Sequence, residues 1–66
     1  MKLKIDRESD ALYLRLDESK IIESEEVTPG VVLDFNEHDE VVGVEILHLS
    51  RRVSRDALAN VSLETA

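Results

Sequence analysis

The sequence predicts an α+β fold: a small antiparallel sheet of three to four strands, rich in hairpins, followed by one C-terminal helix. Three observations carry this. DALYLRL at residues 10–16 alternates apolar and polar side chains, the period of a half-buried strand. GVVLDFNEHDEVVGVEIL at residues 30–47 does the same twice and folds back around the polar NEHDE segment. Beyond residue 50 the period changes, with Val53, Ala57, Leu58 and Val61 recurring on one helical stripe.

Along the chain, Leu3 and Ile5 alternate with Lys2, Lys4 and Asp6, giving a short first strand. The stretch from Asp6 to Asp10 turns the chain, because Asp and Ser side chains hydrogen-bond the local backbone. The second strand sets Leu12, Leu14 and Leu16 on one face and Ala11, Tyr13 and Arg15 on the other. Residues 20–28 read as a short edge strand or extended arm, whose acids discourage pairing with other chains. Pro29-Gly30 punctuates the chain before the third strand. There Val31, Leu33 and Phe35 share a face, and after the turn Val42, Val44 and Ile46 do so again. Apolar weight on these strands calls for a cover, with a helix expected over one face and a second subunit over part of the other. Ser50 is the expected N-cap of a helix over residues 51–60. The sheet is expected over about residues 2–47 and a frayed end over 61–66, all in one small domain.

With 66 residues the chain forms a thin core. Domains of this size bury only about 60% of the surface their unfolded chains expose, and such a core rarely supplies more than about 3–5 kcal/mol. There is no cysteine, so disulfides and Cys-based zinc are excluded as supplements. Self-association, most simply a homodimer, is the default expectation. No apolar run marks a signal peptide or a membrane span, which points to a cytoplasmic protein with no membrane partner.

The net charge is −7 and unevenly spread. Residues 17–45 hold ten acids against one base, Lys20, while residues 46–66 hold Arg51, Arg52 and Arg55 against Asp56 and Glu64. Nucleic-acid binding needs phosphates neutralised by Lys and Arg, so an acidic sheet argues against a nucleic-acid partner. Solubility explains the acids most simply. Attraction to a basic protein partner is the sharper explanation.

Several constellations were weighed for chemistry. Residues 34–39 with Glu45 at the twelfth position superficially suggest a calcium loop, but the sixth position holds Asp39 where a glycine is needed. A polar hairpin turn is the better account. Asp6, Asp10, Asp34 and Glu45 would form an acid/base or magnesium site if they converged; the simpler account is that Asp6 and Asp10 cap a turn while Asp34 and Glu45 sit across a hairpin on a solvated face. Asp10, Tyr13, Asp34 and Glu45 make up the candidate ligand or partner face, and Arg51, Arg52 and Arg55 the candidate basic patch. Tyr13 on such a face more often packs across strands. His38 and His48 have no partner at metal-ligand spacing, and no G-x-S-x-G elbow or glycine-rich phosphate loop is present. Gly43, inside VVGVE, marks a bulge or a close approach by another backbone. No catalytic residue, metal site or cofactor is expected, and the chain does not read as an enzyme.

The order of D-x-L-Y-x-x-L at Asp10, Leu12, Tyr13 and Leu16, the S-E-E-V-T-P-G-V-V-L-D stretch at 24–34, V-V-G-V-E-I-L at 41–47 and Ser50-Arg51-Arg52 resembles domain-of-unknown-function family 2283. The resemblance covers roughly residues 2–53. It departs where the family often has an aromatic residue, here Ile5, and where its hairpin commonly ends in Asp-Gly, here His38-Asp39-Glu40. It implies a β-rich fold with a C-terminal helix and an uncharacterised function. Some members are encoded beside small toxin-like proteins, which implies an antitoxin-like or partner-binding role. Three functional readings follow: a homo-oligomeric binding module for a basic partner, a carboxylate-based metal or small-ligand site with enzymatic activity, and a DNA-binding regulator acting through the C-terminal arginines.

Overall fold

The computed structural model describes residues 1–66. Five antiparallel strands form one sheet: β1 (Lys2–Asp6), β2 (Ala11–Arg15), β3 (Glu23–Thr28), β4 (Val31–Phe35) and β5 (Val41–Ile46), in spatial order β1-β2-β5-β4-β3. A 3₁₀ turn at Leu49–Arg51 and a short helix, α1 (Arg55–Ala59), follow. The antiparallel sheet followed by a C-terminal helix is as expected from the sequence. The strand count is not. Residues 23–28 pair fully with β4 and bring the sheet to five strands.

The strands β3, β4 and β5 form a meander, and β2 lies against β5, which is a Greek-key order with β1 added as a hairpin. The chain must therefore pass from β2 beyond β5 and β4 to reach β3. Arg15 braces that connection by donating to the carbonyls of Asp17 and Ser19, and Leu16 N–H donates to Val42 O.

Two turns set the registers. Pro29 and Gly30 join β3 to β4, with Gly30 at φ 80° as the third position of a type II turn requires. That turn twists against the flanking strands, and the ladder shifts by one residue between Glu26 and Thr28. An unbroken register from Thr28↔Val31 would set Glu25 opposite Asp34, two carboxylates on one face. The shift sets Ser24 there instead. Between β4 and β5, Asn36 Oδ1 accepts from His38 N–H and Glu40 N–H, and Asp39 takes φ 60°. This is the polar hairpin turn expected for residues 36–40.

The helix differs from expectation. Residues 51–60 do not form one helix from Ser50. The chain leaves the 3₁₀ turn at Arg52 and restarts at Ser54, whose Oγ accepts from Ala57 N–H at 3.1 Å. Ser50 does not cap a helix: it lies inside the 3₁₀ turn, with its amide and hydroxyl both donating to Asp10. With five residues, and only Leu58 half-buried, α1 covers little of the sheet, sharing with Leu49 a depression beside Ile5 of β1.

The aliphatic side chains do share one face. Leu12 and Leu14 stand opposite Ile46 and Val44, which stand opposite Val31 and Leu33. The expectation that this face is buried fails within the single chain, because all six residues are only half-buried. The buried apolar residues are Ala11, Val42 and Leu49, and no large side chain is fully enclosed.

Candidate functional site

The opposite face of the sheet is polar and centred on Asp34, which is 8% exposed. Its Oδ2 accepts from Tyr13 Oη at 2.7 Å and its Oδ1 from Ser24 Oγ at 2.6 Å. These groups come from β2, β4 and β3, so the tyrosine must cross β5. Gly43 is what permits this. A Cβ at that position would lie 2.6 Å from Tyr13 Oη and 2.7 Å from Asp34 Oδ2. The bulge foreseen at this glycine is present, as a register shift beside it in the β4–β5 ladder, but the close approach expected from another backbone is not. The approaching atoms belong to side chains.

Gly43→Ala is therefore expected to separate Tyr13 from Asp34. The methyl group cannot fit at either distance without moving one of them. The expected cost is about 1–3 kcal/mol, the range for a buried polar group that loses its partner, offset slightly by the lower entropy of the unfolded alanine chain. Urea unfolding checks this. An unchanged midpoint would show that the tyrosine bond contributes nothing.

The Tyr13 phenol is pushed above its ordinary value. Burial is the main cause, a hydrogen bond from Arg15 opposes it, and donation to the Asp34 carboxylate adds to it. Glu45 stands opposite Tyr13 in the β2–β5 ladder and lines a shallow polar depression with Tyr13, Lys4 and Asp6. Three of the four residues singled out from the sequence thus lie on one face.

Asp10 does not join them. It sits in the left-handed region at φ 53°, where Asp is among the better tolerated residues. Its carboxylate accepts from Ser50 N–H at 2.9 Å and Ser50 Oγ at 2.8 Å, and Leu49 N–H donates to its carbonyl. Asp10 is the tie between the β1–β2 turn and the 3₁₀ turn, a contact across 40 residues that local pattern does not reveal. Asp6 belongs to its own turn, accepting from Glu8 N–H, Ser9 N–H and Ser9 Oγ.

These turn carboxylates give the fold an acid limb. Asp6 is held below its ordinary value chiefly by the Ser9 amide, Asp10 by the Ser50 hydroxyl and Asp17 by the Ser19 hydroxyl. Their folded values lie below the unfolded ones, so their stabilising effect is complete above about pH 4 and fades as pH falls through the folded values. Asp10→Asn keeps an acceptor and tolerates φ 53° but does not titrate. It is expected to lower stability near neutrality and to flatten the loss of thermal midpoint below pH 4. Equally steep acid limbs in the two proteins would refute the assignment.

The three arginines of the candidate basic patch are divided. Arg52 Nη2 donates to Pro29 O at 2.8 Å and lies against Gly30. Arg51 and Arg52 border one depression with Glu26 and His48, whereas Arg55 borders another with Asp6, Asp10 and Asp56. The structure therefore has no single basic surface on a helix, because Arg52 is spent on the β3–β4 turn and α1 begins only at Arg55.

Sequence reasoning missed Ser24, Ser50 and Arg15. Ser24 was legible only through the bulge that places it opposite Asp34. Ser50 was read as a cap, and Arg15 carried no local signal. No group of three or more His, Cys, Asp or Glu side chains is placed to hold a metal ion, and no helix is long and apolar enough to cross a membrane.

No curated protein and no solved structure matches the chain. The family described as "Protein of unknown function (DUF2283)" matches residues 2–50, from the first strand through the Asp10–Ser50 tie. The chain belongs to that family.

Proposed function

We propose that this chain is a self-associating protein-binding module whose partner is a basic protein, an antitoxin-like role rather than a catalytic one. The observation that carries the reading is the edge strand β3. All six of its residues are exposed, it pairs with β4 alone, and it presents Glu23, Glu25 and Glu26. None of these glutamates has a Lys or Arg nitrogen within 4.0 Å, although Glu26 borders the depression that holds Arg51 and Arg52. An unpaired acidic strand edge favours a basic extended segment, with backbone hydrogen bonds giving affinity and charge giving selectivity.

The test is co-expression with the protein encoded next to it. A stoichiometric complex that weakens with salt and is lost in Glu23→Gln/Glu25→Gln/Glu26→Gln is the expected result. A chain recovered alone, with no interaction at about micromolar concentration, an affinity of about −8 kcal/mol, would overturn the reading.

A further inference from the structure

The most unusual property of the single chain is how much surface it leaves open. It exposes 5287 Å², whereas a compact monomer of its 7.5 kDa exposes about 4,250 Å². Its radius of gyration is 12.8 Å, against about 11 Å for a compact chain of this length. The exposed C-terminal residues past Asn60 contribute part of that excess. Much of the rest lies on the aliphatic face, because the sheet is a single layer and the C-terminal segment reaches that face at Ile5, leaving Leu12, Leu14, Val31, Leu33, Val44 and Ile46 only half-buried. A sheet with one aliphatic face needs a second layer.

We infer that the second layer is another copy of the chain, packed face to face so that two five-stranded sheets form a sandwich. This rests on the self-association reading above and adds which surface performs it. Three considerations favour a copy over other occupants. The excess area of about 1,000 Å², less the part contributed by the C-terminal residues, is of the order of the roughly 800 Å² per partner of a standard-sized interface. The face carries no charge on β1, β2, β5 or β4, so two copies of a chain with net charge −7 meet there without opposing carboxylates. The acids that share this face, Glu23 and Glu25, lie on β3 at its rim, where solvent remains. Edge pairing does less. Two β3 edges would bring Glu23, Glu25 and Glu26 of both copies together, and any edge-to-edge joint leaves the aliphatic face open. Face-to-face packing, with sheets about 10 Å apart, leaves the Tyr13–Asp34 face and both β3 edges outward.

Light scattering over a dilution series gives the mass, and single thiols report the face. The chain has no cysteine, so Val44→Cys and Val32→Cys carry one thiol each. Val44 shares the aliphatic face with Leu33, while Val32 lies on the opposite one. The wild type is expected to be dimeric at about 100 μM. There the Val44→Cys thiol should react with a bulky disulfide reagent at least about tenfold more slowly than that of Val32→Cys, the difference vanishing on dilution. Leu33→Asp should weaken the dimer at least about 100-fold by burying an unpaired charge. If it fails to fold, the thiol rates still decide. A dimer whose Val44→Cys thiol reacts as fast as that of Val32→Cys overturns the face-to-face arrangement and leaves self-association standing. A monomer at every concentration overturns both. A monomer that hides Val44→Cys only when a basic partner is added gives the face to that partner and also overturns the inference.

Discussion

Leu49→Ala is expected to lower stability by about 2–4 kcal/mol, the usual cost of truncating a buried leucine. Leu49 is 5% exposed and is the largest of the three buried apolar residues, the others being Ala11 and Val42. It sits in the 3₁₀ turn, where its amide is bonded to Asp10 O, and it lines the same depression as Ile5 and Leu58. Its side chain therefore joins the β1–β2 hairpin to α1, which otherwise rests on little else. A domain of this size has only about 3–10 kcal/mol in total, so losing this one side chain removes a large share of it. Chemical denaturation at matched protein concentration measures the loss, with Leu63→Ala as control. Leu63 is 88% exposed, and its truncation should fall within about 0.5 kcal/mol of the wild type. If the two variants unfold at the same midpoint, Leu49 does not anchor the C-terminal segment.

Asp34→Ala is expected to cost about 2–4 kcal/mol, because one substitution removes two acceptors and leaves two hydroxyl groups without partners. Tyr13 is the more affected, being half-buried with its phenol set across β5 over Gly43. Ser24 lies on the exposed edge strand, where water replaces the lost carboxylate at small cost. Tyr13→Phe should accordingly cost about 1 kcal/mol and Ser24→Ala less. The double variant Tyr13→Phe/Asp34→Ala should cost less than its two parts together, as for any pair sharing one hydrogen bond. Relief of charge repulsion in an acidic sheet opposes these losses, so their sign is informative. An Asp34→Ala protein as stable as the wild type would mean that repulsion outweighs the network.

The strands were legible because period-two alternation is a local property of the chain. DALYLRL and the two halves of residues 30–47 each name their own faces. Tyr13, Asp34 and Glu45 could be placed on one face for the same reason. The fifth strand was ambiguous, since ESEEVT carries almost no apolar alternation and depends on hydrogen bonds to β4 for its form. Asp10 lies on a turn, as the simpler reading of it expects, and so does not join the polar face. Its partner, Ser50, is 40 residues away, and no spacing rule connects them. The same contact holds Ser50 within the 3₁₀ turn, and the helix that follows is capped by Ser54 instead.

The sequence by itself determined an antiparallel sheet with one aliphatic face, one polar acidic face, a polar hairpin turn at residues 36–40 and a helix after it. Those are consequences of side-chain period and turn chemistry, which act over a few residues. Only the tertiary structure decided that the aliphatic face is largely uncovered within the chain. Coverage depends on where α1 lies, and the Asp10–Ser50 tie holds the end of the chain beside the β1–β2 turn, where it reaches the sheet at Ile5 and leaves most of the aliphatic face open. Only the structure, too, turned Gly43 from a weak spot in a strand into the gap through which Tyr13 reaches Asp34.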